Sequence, residues 1–193
     1  DFPHVVVFDL ETGGTVPWQH PILEFAGIRY DVTARPWREV GRLHLKILAE
    51  LDMSDPDVSG ALIYNGIPDR MAAGEWNGAI ELNSALIEIA NFMDGSILAG
   101  HNVAMDWYFL LAGFLANSMI PPVRATYSLL DSASAGLYLW VQGQAPGGKR
   151  PSLERLAEAL GVPFPQEIRH RAMADCEATA AVIQRLVVGK AAP

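Results

Sequence analysis

The chain of 193 residues is 50% hydrophobic and 19% charged, a balance that suits one domain with a sizeable core and excludes a disordered chain or a coiled coil. Fourteen basic and 22 acidic side chains give a net charge of −8, which argues against a long electrostatic track along nucleic acid; residues 1–148 hold 7 basic and 17 acidic groups, residues 149–193 hold 7 and 5, so an anionic ligand should lean on the C-terminal quarter or on metal ions held by the acidic part. The single cysteine, Cys176, excludes an internal disulfide and a thiolate zinc cage, no apolar run reaches the roughly 20 residues of a membrane span, and no export signal is visible, so the expected setting is cytoplasmic with no membrane partner.

Residues 4–10 form a β-branched apolar run, short enough for a buried central strand, which ends at Glu11-Thr12-Gly13-Gly14, where paired glycines permit a turn. Residues 22–30 and 40–47 alternate with a period of two, which predicts two more strands in an antiparallel meander, with Arg35 and Pro36 at the turn between them. Past Asp57 the period changes, and Leu82, Leu86, Ile89, Ala90 and Met93 share one helical face. Residues 96–100 read as a short strand, residues 103–116 as a helix closed off by Pro121 and Pro122, and residues 127–141 as a helix entered from another short strand. Residues 142–151, rich in Gly and Pro, predict a mobile loop. Ser152 is expected to cap a helix striped by Leu153, Leu156, Ala157 and Leu160 and stopped by Gly161 and Pro163; residues 172–188 make the last helix. The fold class expected is α/β, a mixed five-stranded sheet, antiparallel meander then parallel strands, flanked by helices.

Chemistry concentrates in three places. Asp9 and Glu11 are two apart at the end of the first strand, so their carboxylates share a face, where like charges repel unless a cation lies between them. Read alone, such a pair is a solvated strand end; this one closes an apolar strand at the carboxyl edge, where α/β sheets place binding groups. The run His101-Asn102-Val103-Ala104-Met105-Asp106 follows a short strand and puts Asp106 in the first turn of a helix, a position the helix dipole favours for any acid. His170 precedes Asp175 by five residues, off a common helical face, but a His just ahead of the helix can curl back towards the acid. Taken together, four carboxylates and an imidazole make an oxygen-rich site suited to Mg²⁺ or Mn²⁺. Two such ions clamp an in-line phosphoryl displacement, and a His of pKa about 6.5 can deprotonate water near neutral pH.

The residues Phe8-Asp9-Leu10-Glu11-Thr12-Gly13, the run His101 to Asp106 and the run His170 to Asp175 resemble the three exonuclease motifs of the DEDDh 3′–5′ exonucleases. This DnaQ-like family of the ribonuclease H-like superfamily includes the proofreading epsilon subunit of bacterial DNA polymerase III, ribonuclease T and oligoribonuclease. Ile22-Leu23-Glu24-Phe25-Ala26 and Tyr64-Asn65-Gly66-Ile67 match as well, so the similarity covers nearly the whole chain. The resemblance implies a ribonuclease H-like fold and a single exonuclease domain over residues 1–193, with a motif core at about 4–188. It makes Asp9, Glu11 and Asp175 the direct metal cage, Asp106 the support of a second ion and His170 the general base. Thr12 and the adjoining backbone at Gly13 would hold the terminal nucleotide, and His101 and Asn102 would shape the second-motif turn. Met105 stands where the family has Phe, and Ala125-Thr126 where an Asp-Thr pair is common, departures that bear on base or sugar preference.

Around this core, Trp18 could stack on an unpaired base, and Lys149, Arg150 and Arg155 could take backbone phosphates. Cys176 points about 100° away from Asp175 on a helix and reads as a small core residue. His4, His20 and His44 have no acidic partner at useful spacing and carry no assigned role. The expected activity is metal-dependent release of nucleoside 5′-monophosphates from single-stranded or frayed 3′ ends, with DNA favoured. The competing readings are an RNA 3′-end trimming nuclease, a non-catalytic polymerase-binding module of the same fold, and a small phosphoester hydrolase, which would need a closed pocket. Expected partners are a single-stranded 3′ end and, beyond it, a second copy of the chain or a polymerase.

Overall fold

In the computed structural model, which describes residues 3–122, 129–144 and 151–188, the first apolar run becomes the middle strand of a five-stranded sheet. β1 (His4–Thr12), β2 (Ile22–Asp31) and β3 (Arg38–Lys46) pair antiparallel, whereas β4 (Ile97–Gly100) joins β1 and β5 (Leu129–Asp131) joins β4 in parallel. The order across the sheet is β3-β2-β1-β4-β5. The mixed sheet, with its meander on one side and parallel strands on the other, is the expected one.

Seven helices flank this sheet among the described residues: α1 (Pro56–Asn65), α2 (Ile67–Ala72), α3 (Leu82–Met93), α4 (Val103–Ala116), α5 (Ser132–Val141), α6 (Leu153–Leu160) and α7 (Ala172–Val188). The helices α1 and α2 have no counterpart among the elements expected from the sequence. Each is short, each carries Pro in its first turn, and Gly66, at φ 61°, ends the first and begins the second. Asp55 caps α1 by accepting the Asp57 N–H at 2.8 Å. The helix expected over 127–141 begins only at Ser132, because Leu129–Asp131 pair with β4 and the Asp131 carboxylate then accepts the N–H groups of Ala133 and Ser134. Ser152 does stand at the start of α6, but its hydroxyl donates to Glu154 Oε2 at 2.5 Å and makes no capping bond to the backbone. Ala125, Thr126, Lys149 and Arg150, and most of the loop expected at 142–151, lie outside the described residues.

Strand alternation decides what lies above and below β1. Val6, Phe8 and Leu10 enter the larger core with Leu86, Ile89 and Met93 of α3 and Trp107, Leu110 and Phe114 of α4. Val5 and Val7 enter the opposite core with Ala172, Cys176, Ala180 and Ile183 of α7. The strand is covered on both faces, which is why it reads as an unbroken apolar run. Small side chains let α7 settle close: Cys176, fully buried as expected of a core residue, brings Sγ to 2.9 Å from the carbonyl of Val7. Among the described residues, no helix is long and apolar enough to cross a membrane.

Asp9 and Glu11 continue the parity of Val5 and Val7 and so face α7. On the other side of β1, the register with β4 runs from Val5↔Ile97 to Val7↔Ala99 and stops. Gly100 ends β4 in a tight corner, where an added Cβ would lie 2.9 Å from Val103 Cβ and 3.1 Å from the Phe8 carbonyl oxygen. Gly100→Ala should therefore lower stability by about 1–3 kcal/mol through overpacking, read as a lower midpoint in chemical denaturation; an unchanged midpoint would show that this corner has slack.

Candidate active site

The site is built where β1 outruns β4. Asp9 and Glu11 project from the last turn of the pleat, and Asp175 meets them from the first turn of α7, so that one carboxylate oxygen from each of the three lies within 4.8 Å of the others. Asp106 arrives from the first turn of α4 on the other side. Its Oδ1 accepts the N–H of Leu10 at 3.2 Å, a backbone donor that β4 is too short to pair. The structure thus brings Asp106 alongside the three-acid group, tied to β1.

Burial and crowding make this cluster costly in its charged form. Burial first, and then the charges of Asp106, Asp175, Glu11 and Glu24, push the Asp9 carboxyl well above its ordinary range. Burial with Asp175 and Glu24 raises Glu11 to about 8, against a downward pull from Arg70. Asp106 is pushed to about 8 by burial despite its bond from Leu10, and Asp175 to about 7 by burial despite accepting the backbone N–H of His170. One oxygen, Asp175 Oδ1, is buried without a hydrogen-bond partner. Hard oxygen donors, mutual repulsion and an unsatisfied buried carboxylate oxygen fit a divalent cation such as Mg²⁺ or Mn²⁺.

His170 precedes α7 in a left-handed conformation, φ 58°. Its ring lies 4.1 Å, centroid to centroid, from that of Tyr64. Burial holds its pKa below the usual histidine value, opposed by Glu154 and helped by Arg169. Tyr64 also lines an open cleft of about 460 Å³ together with Leu10, Glu11, Thr12, Asn65 and Met105. The Thr12 hydroxyl donates to the Gly14 carbonyl at 2.7 Å, and Asn65 Nδ2 donates to the Thr12 carbonyl at 3.3 Å, which fixes the floor of that cleft. Gly13, next to Thr12, is buried, with its N–H on the Pro21 carbonyl at 2.8 Å.

The second-motif pair divides, with His101 half-buried and Asn102 exposed. Ser132 donates its one hydroxyl proton to the Gly100 carbonyl at 3.2 Å, so His101 Nδ1, 2.9 Å from that hydroxyl, is the donor to it. Asn102 takes a left-handed φ of 60° and gives its N–H to Asp131 Oδ1 at 2.7 Å. Trp18 is 77% exposed and lines a separate groove of about 290 Å³ against Phe109 and Gly113 of α4, apart from the cleft at Glu11.

Two histidines left without a role in the sequence have one here. His20 is buried, accepts the Val16 N–H on Nδ1 at 3.0 Å and sets Nε2 3.3 Å from Asp55, which locks the loop after β1 onto the start of α1. His44 Nε2 lies 2.6 Å from the fully buried Glu24, which also pairs with Lys46 and Arg70. The available signal was an acid, Glu24, set in the otherwise apolar stretch 22–28 of β2.

A family model for exonucleases (RNase_T) matches residues 6–183. Ribonuclease T of Marinobacter nauticus is 28% identical over 182 residues, covering 91% of this chain and 78% of that protein. The DNA polymerase III subunit epsilon-like protein of Rhodobacter capsulatus is 30% identical over 189 residues, but this chain spans only 23% of its length. The zinc-bound form of the E. coli ExoI–ssDNA complex superposes with a TM-score of 0.76 at 22% identity, over 97% of this chain and 41% of that one, a likeness of fold. The chain therefore belongs to the exonuclease (RNase_T) family, a DnaQ-like group.

Proposed function

We propose that the chain is a divalent-metal-dependent 3′–5′ exonuclease that releases nucleoside 5′-monophosphates from single-stranded or frayed 3′ ends. The observation that carries this reading is the group of Asp9, Glu11 and Asp175 oxygens within 4.8 Å of one another, with Asp175 Oδ1 unpartnered, beside His170 and an open cleft. Asp9, Glu11 and Asp175 would hold Mg²⁺ or Mn²⁺, with Asp106 alongside for a second ion. Bound ions of this kind supply Lewis-acid stabilisation to the attacking and leaving oxygens of a phosphodiester.

The remaining work falls to the chain itself. His170, with its pKa lowered by burial, is neutral near neutral pH and accepts the proton of the attacking water on a ring nitrogen. The terminal nucleotide lies in the cleft, with its sugar end towards Glu11 and Thr12 and its base against Tyr64 and Met105. An open cleft suits a polymer end better than a small phosphoester. Single-stranded DNA is the proposed substrate, supported by the likeness to an ExoI–ssDNA complex. RNA 3′-end trimming is the second reading, supported by a ribonuclease T of which this chain spans 78%. The epsilon-like relative supports docking onto a polymerase as a further role.

Asp9→Asn and His170→Ala, each folded by circular dichroism, should lose at least about 100-fold in the shortening rate of a 5′-labelled oligonucleotide, and EDTA should abolish it. Full activity in either variant would remove the residue from the chemistry. Identical DNA and RNA oligomers run in parallel choose between the two substrates.

The acid cluster also sets a pH dependence of stability. Without metal, carboxyls that titrate at about 7 to 8 in the fold, Asp175, Glu11 and Asp106, bind protons more tightly than in the unfolded chain. Stability from this source is then greatest below the ordinary carboxylate range and declines as pH rises towards about 8. Mn²⁺ should accordingly raise the melting temperature more at about pH 8 than at about pH 5; equal shifts at both would contradict the placement of the metal among these acids.

A further inference from the structure

Glu24 stands opposite Glu11 in the register of β1 and β2 and is fully buried. Burial opposes its charge, yet hydrogen bonds from His44 and Lys46 and the charges of Lys46 and Arg70 bring its carboxyl down to about 2. Lys46 Nζ lies 2.5 Å from one of its oxygens and Arg70 NH2 2.8 Å from the other. From there the charges lead out of the sheet. Arg70, in α2, donates from Nε to Glu75 Oε2 at 2.9 Å, and Glu75 Oε1 accepts from Arg171 NH1 at 3.3 Å. Trp76 flanks the path, with Lys46 Nζ 4.5 Å and the Arg70 guanidinium 5.2 Å from its ring centroid.

Arg171 is the residue after His170. Its carbonyl accepts the N–H of Asp175 at 3.0 Å, the first helical bond of α7. His170 itself holds a left-handed backbone that a residue with a Cβ keeps only when its surroundings impose it. Those surroundings are the Asp175 carboxylate on the His170 N–H, the Tyr64 ring and two tethered arginines: Arg169 donates from Nε and NH2 to the Phe164 carbonyl at 3.2 and 3.0 Å, and Arg171 is held by Glu75. The first tether is local. The second reaches across the site to the turn after α2, and through it to the strand that pairs with Glu11.

We propose that the ion chain Glu24–Arg70–Glu75–Arg171 sets the position of His170 relative to the acids, with Glu75 and Arg171 as positioning residues. This rests on the reading of His170 as the proton acceptor. An ion pair as exposed as Arg171, whose side chain is 45% accessible, adds little to stability. Its partner is already fixed by the buried Arg70, so closing the pair orders few additional bonds and acts mainly on direction. Misplacing a proton acceptor by about 1 Å is enough to cost up to about 100-fold in turnover.

The test compares the full chain with Arg171→Ala, Glu75→Gln and Arg171→Lys on a 5′-labelled single-stranded DNA with Mg²⁺. Arg171→Ala and Glu75→Gln should lower kcat about ten-fold, with KM within about two-fold and Mn²⁺ affinity unchanged, and Arg171→Lys should restore most of the loss. A second readout needs no turnover. The His170 Cε1–H resonance, identified by its loss in His170→Gln, carries the ring-current shift of Tyr64; it should move in Arg171→Ala and Glu75→Gln and stay in Arg171→Lys. A resonance that stays put in Arg171→Ala and Glu75→Gln overturns the proposal whatever the rates do. A rise in KM at unchanged kcat also overturns it, and makes Arg171 a substrate contact. If the unaltered chain shortens neither DNA nor RNA, the proposed function fails, and the resonance alone decides whether the ion chain positions His170.

Discussion

Like charge at close range is the constraint around which this molecule is built. Asp9, Glu11 and Asp175 converge to within 4.8 Å in a place where burial already disfavours ionisation. Left to itself, such a group would splay apart or take up protons. The backbone denies it the first course. β1 is gripped on one face by α3 and α4 and on the other by α7, whose small residues let it lie against the strand, and Asp106 is fastened to the Leu10 N–H. Part of the energy of two hydrophobic cores thus goes into holding acids together, and a cation offsets that cost.

The early end of β4 is what makes the arrangement geometrically possible. A longer β4 would take the Leu10 N–H into the sheet and leave Asp106 without its anchor. The chain instead turns at Gly100, passes through the left-handed Asn102, and starts α4 with its first turn at the end of β1. On the other flank the chain turns at His170 and starts α7 at the same end. Two helices begin where one strand finishes, and the acids are the residues that this junction collects.

That much could be read from local pattern. Period-two alternation puts Asp9 and Glu11 on one side of β1, and the helices read at 103–116 and 172–188 place Asp106 and Asp175 near helix starts, because these relations depend on a few neighbouring residues. What escaped depends on which distant segments meet. His44 reaches Glu24 through the diagonal of the β2–β3 register, His20 reaches Asp55 because a loop folds back over α1, and Trp18 turns towards α4. None of these contacts is encoded in spacing along the chain. The helices α1 and α2 were hidden for another reason: their buried apolar residues are few, chiefly Val58, Leu62 and Ile67 against Leu23, and too sparse to mark a period.

The corner between those two helices has a consequence for how the chain tolerates changes of length. Gly66 alone serves as the end of α1 and the start of α2. One residue more in the first turns of α2 would rotate the rest of that helix by about 100° and carry Arg70 off Glu24. It would leave a buried carboxylate short of a partner, while the wall bearing Tyr64 lost its brace. The turn between β2 and β3 is under no such obligation, since residues 32–36 are partly or wholly exposed and lie at the end of the strands remote from Glu24. Insertions and deletions should therefore collect at that hairpin, and the α1–α2 corner should keep its length even where its residues change.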